Sequence, residues 1–234
     1  MKAPHSEQDL KALVALDTPT VCNALEVLSP ELRSYGFTFK PMVCAFPDLP
    51  PIVGYARTAT IRSMRPSKLD KKAAQDQRIA YYRHIEDGPR PSIAVIQDLD
   101  TLPGFGAFWG EVNTAIHKGL GCIGAVTDGC IRDIPQMAPG FQCLAGSINP
   151  SHGWCHVEEV GGSVSIHGMT VSDGDLVHAD RHGAVVIPHD LARKVPEAAA
   201  LVARKEAIIL AAARKAGFTA EALRKAMGDA EDVH

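Results

Sequence analysis

The chain has 234 residues, room for one average domain with a tail rather than for two full domains. Hydrophobic residues make up 46%, enough for a buried core, and 24 basic against 27 acidic side chains give a formal charge of −3. So even a balance argues against a nucleic-acid or anionic-membrane partner held by bulk charge, and no apolar run of about eighteen residues is present to span a bilayer.

The start, Met1 to Glu7, lacks the apolar core of a signal segment. Asp17-Thr18-Pro19-Thr20 ahead of Val21, Ala24, Leu25 and Leu28 predicts a capped helix with apolar positions at helical spacing. Residues 29–51, rich in proline and aromatics, read as a long irregular loop, and residues 52–61 as a strand. A charged surface helix is expected over 68–84, broken by Glu86-Asp87-Gly88-Pro89. Ile93 to Ile96 is a short continuous apolar run, the mark of a buried strand. A glycine-rich loop over 103–110 leads into a helix over 111–118 with Val112, Ala115 and Ile116 on one face, ended by Gly119 and Gly121. Cys122 to Val126 is the next buried strand and runs into a loop over 127–133, so the middle of the chain reads as a βαβ unit.

After Pro150 the pattern turns to β. Two strands turn at His167-Gly168, and a second hairpin turns at Asp180-Arg181-His182-Gly183. Pro188 and Asp190 open a helical tail with an apolar stripe of Leu201, Val202, Ile208 and Ile209; Gly217 stops it, and Thr219 caps a last helix. The tail is too polar to be core by itself and is expected to pack on the body or on a neighbouring subunit. Cysteines at 22, 44, 122, 130, 143 and 155 contain no C-x-x-C pair and read as reduced, partly buried thiols of a cytoplasmic protein.

The strongest chemical constellation is Asp128, Arg132 and Asp133 just beyond a buried strand, where α/β folds bind ligands. Carboxylates there suit a magnesium or manganese ion, and a guanidinium beside them can clamp a carboxylate or enolate oxygen. The alternative is a plain Arg–Asp pair in a surface turn. A second candidate runs from Gly106 to Asn113: glycines allow close backbone approach and the helix start offers free amides to an anion. Glu111 in its first turn either completes a cation site or merely complements the helix dipole. Gly104-x-Gly106-x-x-x-Gly110 has the wrong spacing for a dinucleotide fingerprint, with Trp109 where a small residue is expected. His178, Asp180 and His182 share one strand face, as a metal site or, more simply, as a hydrogen-bonded hairpin end. The cysteines have no catalytic partner, and without a G-x-S-x-G turn a hydrolase triad has no support.

Three blocks together resemble one family: Trp109-Gly110-Glu111-Val112 with Ala115 and Gly119; Gly124-Ala125-Val126-Thr127-Asp128-Gly129-Cys130-Ile131-Arg132-Asp133; and Val171 to Leu176 through Asp180 to Pro188. With Thr18 to Leu25 added, the likeness touches most of residues 17–190, and D-G-x-x-R-D is its most specific part. The sequence is similar to the RraA-like / 4-hydroxy-4-methyl-2-oxoglutarate aldolase family, of the class II pyruvate aldolase type. The resemblance implies an α/β swivelling β/β/α domain over residues 1–189 with a C-terminal helical extension over 190–234. It implies homotrimers or homohexamers with sites between subunits. It implies a lyase dependent on Mg2+ or Mn2+ that cleaves a 4-hydroxy-2-oxo acid to pyruvate, with oxaloacetate decarboxylation as a side activity. By the same resemblance Asp133 binds the metal, Arg132 contacts the substrate and Glu111 holds metal-bound water. Gly110 and the backbone of Val112, Asn113 and Thr114 receive the pyruvyl carboxylate.

An acidic residue from a neighbour's tail joins the site in such aldolases. Glu206, four residues after Val202 and three before Ile209, is the candidate here; otherwise it pairs with a basic neighbour on the surface. Two other functions share the framework. One is an RraA-type regulator that binds an RNA-processing enzyme, a family branch that resembles only the body and lacks these tail helices. The other is a metal-dependent sugar-acid dehydratase or lyase. The stretch from Glu86 to Gly110 is longer and more aromatic than in better-known aldolases, and Phe105, Phe108 and Trp109 imply a differently shaped pocket.

Overall fold

The computed structural model describes residues 4–233. Its first helix, α1 (Glu7–Val14), is one the sequence reading passes over. Ser6 accepts from the Asp9 amide and the Asp9 carboxylate returns the bond, a capping box with aspartate where glutamate or glutamine is usual. Asp17 caps α2 (Thr18–Leu28) through the Thr20 amide at 2.8 Å. The long connection that follows is irregular as expected, apart from a 3-10 turn at Pro30–Arg33 and the two-residue strand β1 (Val43–Cys44).

The remaining elements are β2 (Ile52–Arg62), α3 (Lys71–Glu86), β3 (Ser92–Asp98), β4 (Ala107–Trp109), α4 (Glu111–Gly119), β5 (Cys122–Thr127), β6 (Cys130–Ile131), β7 (Gln142–Ala145), β8 (Ser147–Ile148), β9 (His156–Val160), β10 (Ser163–Ile166), β11 (Met169–Ser172), β12 (Leu176–Asp180), β13 (Gly183–Ile187), α5 (Val195–Ala213) and α6 (Ala220–Glu231). The main sheet runs β1-β7-β5-β3-β2-β12-β13, with β9 also on β2. Its centre, β2, β3, β5 and β7, is parallel, which is why β3 and β5 read as buried apolar runs. The architecture is the mixed α/β one expected. Among the described residues, no helix is long and apolar enough to cross a membrane.

Three buried clusters fix the layers. One lies under α3 and α4 and holds Tyr81, Trp109 and Phe141; one lies under the β10–β11 hairpin. The third joins Leu13 of α1 and Val21 of α2 to Val195, Ala198 and Ala199 of α5, so the tail's first turns are core. The predicted stripe on the tail is only partly buried, because small residues earlier on α5 make the close contact with α2. The face expected of α4 is also corrected. Thr114 and His117 are buried there and Val112 is exposed, since both buried polar groups are fully hydrogen-bonded.

One buried ion pair ties the hairpin to the sheet. Arg57, only 7% exposed, reaches Asp173 in the β11–β12 turn at 2.5 Å. Asp173 also takes the Thr58 amide at 3.0 Å and His84 Nε2 at 3.0 Å. Burial raises the Asp173 carboxyl, but His84, the Thr58 amide and Arg57 together outweigh it and hold it below the ordinary carboxylate value. A carboxyl held lower in the folded state adds stability above its unfolded value, and that contribution is lost as pH falls through the folded one. Asp173→Asn is therefore expected to cost about 3 kcal/mol at neutral pH, the lower end for one broken partner of a buried pair. Urea unfolding measures it, and the gap from wild type should close as the buffer is acidified through the carboxylate range.

Candidate functional site

The loops leaving the carboxyl ends of β3, β5 and β7 each form a short strand, and these strands, β4, β6 and β8, pair in a second small sheet. This second pairing builds the site. Ala107 lies across from Cys130, Trp109 across from Ile131, and the Arg132 amide donates to Trp109 O at 2.9 Å. The chain thereby sets the start of α4 directly beside Arg132 and Asp133.

Gly110 makes a close fit at that junction, where any side chain would displace the Asp133 carboxylate. A Cβ there would sit 2.7 Å from Asp133 Oδ2 and 3.3 Å from Arg132 Cγ. Asp133 itself is left-handed (φ 53, ψ 35), a conformation that aspartate tolerates better than most residues and that turns its carboxylate back toward Gly110. Arg132 Nε stands 3.4 Å from Asp133 Oδ2, with the two side chains 36% and 41% exposed, and Arg132 Nη1 donates to Pro150 O at 3.4 Å.

Gly110, Glu111, Val112, Asn113, Arg132 and Asp133 line one cleft of about 540 Å³. No side chain caps α4, so the amides of Glu111, Val112 and Asn113 have no intrahelical partner, the arrangement that suits an anion. Thr114 is placed differently. Its amide is spent on Gly110 O at 3.0 Å, and its buried hydroxyl bonds Gly110 O and Glu111 O, so it braces the turn from behind. Asn113 is fixed by Tyr82 Oη at 2.8 Å and by Phe108 O. Behind it His117 Nδ1 donates to Asn113 O and Nε2 accepts from Tyr81 Oη, each at 2.6 Å; burial, against the pull of the Asn113 carbonyl, lowers His117 to about 4.

Other sequence candidates fall elsewhere. Asp128 accepts the Asp98 amide at 2.8 Å, and burial, aided by the nearby Asp98 charge, pushes its carboxyl up to about 6; it holds two strand ends together and does not line the cleft. His178, Asp180 and His182 form the hydrogen-bonded hairpin end: Asp180 takes the amides of Thr18 and His182, and His178 bridges Thr18 Oγ1 and Leu16 O. Glu206 is exposed on α5 and does not line this chain's cleft. Cys155 does line it, but burial pushes its thiol up to about 12, which removes it as a nucleophile.

The opposite wall was not legible in the sequence: Arg78 and Tyr82 come from α3, His152 from the approach to β9 and His156 from its first position. Nothing local marks them, because β9 begins at a polar stretch, His156-Val157-Glu158-Glu159, without clean alternation.

Among the described residues no three His, Cys, Asp or Glu side chains come close enough to form a complete metal cage. The donor set still fits a hard ion that keeps several waters. Asp133 offers carboxylate oxygen, Glu111 lines the same cleft, and bare Gly110 leaves Asp133 Oδ2 uncovered.

Comparison with known proteins bears on this arrangement. A family profile described as RraA-like (Aldolase/RraA) matches residues 18–186. An uncharacterized protein of Methanocaldococcus jannaschii, MJ0644, is 31% identical over 102 residues, 43% of this chain, and the match spans about half (49%) of that protein's length. An uncharacterized protein from Pseudomonas syringae pv. tomato has a solved structure with a TM-score of 0.70 at 25% identity, covering 95% of each chain. Streptomyces coelicolor RraAS2, described as an unusual member of the RNase ES inhibitor RraA protein family, has a TM-score of 0.66 at 22% identity over 87% of this chain and 96% of its own, a likeness of fold.

Proposed function

This chain belongs to the RraA-like family, with its swivelling β/β/α fold, and from that premise we propose that it is a divalent-metal-dependent carbon–carbon lyase. Its substrate is a small 4-hydroxy-2-oxo acid, and its product is pyruvate. The family holds both aldolases and RraA proteins, so membership alone leaves both open. What supports the enzyme reading is convergence: a guanidinium, a carboxylate and uncapped helix amides meet on one cleft, around a glycine whose bare backbone lies close against Asp133 and Arg132.

A magnesium or manganese ion at Asp133 would supply Lewis-acid charge to the 2-oxo acid end. The free amides at the start of α4 receive the substrate carboxylate. Arg132 grips the C2 oxygen as negative charge develops there on breaking the C3–C4 bond. A water held by Glu111 relays the proton of the C4 hydroxyl to the Glu111 carboxylate as that carbon becomes a carbonyl. C3 then gains a proton from water, and pyruvate leaves. Oxaloacetate decarboxylation needs the same stabilised oxyanion and follows as a side activity.

A panel of 2-oxo acids with magnesium or manganese, coupled to pyruvate detection, tests this reading. Pyruvate from a 4-hydroxy-2-oxo acid is expected. Silence across the panel, with tight binding to a ribonuclease, would move the chain to the regulator branch. Release of water rather than pyruvate from a sugar acid would make it a dehydratase.

We further propose a trimer or a pair of trimers, in which the extension over residues 190–234 carries Glu206 to a neighbour's cleft. Exposure of Glu206, with its absence from its own cleft, supports this. Glu206→Gln should cut turnover and leave assembly intact. Mixed with Asp133→Asn it should regain part of the activity, because each variant supplies the half-site the other lacks. A monomer in solution, or no complementation after confirmed subunit exchange, would remove Glu206 from the site.

A further inference from the structure

A second cleft of about 730 Å³ adjoins the first, and His156 and Val157 line both. The divide between them is the start of β9, His156 and Val157, and in the β2–β9 register Arg62 of the second cleft stands directly opposite His156. Such partners are about 5 Å apart at Cβ, so the second cleft opens within one strand spacing of His156. His156 is held in place by Trp154 O at 2.7 Å and by Glu158 Oε1 at 2.8 Å, so the divide is fixed from both sides.

The second cleft is lined by Arg62, Arg65 and Lys68 against Asp100 and Glu158. Both acids are already engaged. Asp100 takes the amides of Ser63 and Met64 at 2.6 and 2.9 Å, and it and Glu158 flank Arg62 at 3.7 and 4.0 Å. That leaves Arg65 and Lys68, which have no ion-pair or hydrogen-bond partner among the described residues. Asp100 pins the turn that carries Arg65 by its backbone, so this charge is presented by a fixed loop at the mouth of a cleft.

We propose that the second cleft is an anion subsite: a substrate extends past His156 and ends in a carboxylate or phosphate held by Arg65 and Lys68. This rests on the reading of the first cleft as a 2-oxo acid site, and it makes Arg65 and Lys68 determinants of substrate length and charge. A chain that ends within the first cleft gains nothing from them.

The test is calorimetric titration of the full chain, with magnesium present, against oxamate, which mimics pyruvate, and three extended forms. N-butyl oxamate carries an uncharged tail; N-(3-carboxypropyl)oxamate and N-(3-phosphonopropyl)oxamate carry the two anions at matching reach. An anionic tail should tighten binding about threefold to tenfold over butyl, the scale of two solvent-exposed ion pairs, and the larger gain tells carboxylate from phosphate. The double variant Arg65→Gln with Lys68→Gln should lose that gain and bind oxamate as before. Equal binding of the three tails by wild type, or a gain that survives in the variant, overturns the proposal. Oxamate that fails to bind wild type counts against the first cleft alone. Inorganic phosphate and succinate, titrated singly, then decide the second: binding lost in the variant supports it, and equal binding or none overturns it.

Discussion

Asp133→Asn is expected to abolish metal-dependent turnover, a loss of more than about a thousandfold for an interaction worth several kcal/mol in the transition state. Asparagine keeps the shape of the side chain and tolerates the left-handed backbone at φ 53, so the turn should survive while the charge is lost. Alanine is a poorer choice, because it would add backbone strain to the chemical loss. Thermal unfolding of the variant should match wild type within a few degrees. Titration of manganese into both proteins separates the causes: wild type should bind it and the variant should not. Chelation of wild type should reproduce the loss, and magnesium or manganese should reverse it. Full activity in a chelated, metal-free sample would end the metal-dependent reading.

Arg132→Lys is expected to behave as a drastic change despite the retained charge. Lysine presents a point charge on a flexible stem, whereas the guanidinium offers a planar fork. Arg132 is oriented by Pro150 O at one end of its guanidinium and faces Asp133 at Nε, a geometry lysine cannot reproduce. If Arg132 grips the developing oxyanion, about 2 to 4 kcal/mol of stabilisation disappears, by analogy with a lost oxyanion donor. The loss should fall on kcat rather than on KM, since the group acts most strongly after the bond begins to break. Wild-type turnover in the lysine variant would reduce Arg132 to a turn residue.

The parts of this molecule that were legible in the sequence are those where local chemistry and tertiary environment agree. Ile93–Ile96 and Cys122–Val126 are unbroken apolar runs because both faces of a central parallel strand are covered. Asp17 and Thr219 announce their helices because a cap needs only its own neighbours. The pairing of β4 with β6 and β8, which brings Gly110 to Asp133, left no such mark: the strands have two or three residues each, too short for any period. D-G-x-x-R-D stands out as a motif, yet Asp128 and Asp133 in it do different work, the first half-buried at a strand junction and the second in the cleft. Sequence spacing could not separate them, because only the turn at Gly129 and the following strand point them apart. The far wall, with Tyr82, His152 and His156, is assembled from segments distant along the chain and becomes visible only once β9 has been laid against β2.

The buried Tyr81–His117 pair behind α4 bears on how any kinetic record of this protein should be interpreted. With His117 lowered to about 4 and both its ring nitrogens occupied, the scaffold under the first amides of α4 keeps one charge state across the usual assay range of about pH 5 to 9. A bend in a pH–rate profile within that range therefore does not come from His117; it reports on Asp128, pushed up to about 6, on the groups at the cleft mouth or on the substrate itself. Replacing His117 by glutamine should shift rate and stability together and leave the position of the bend where it was.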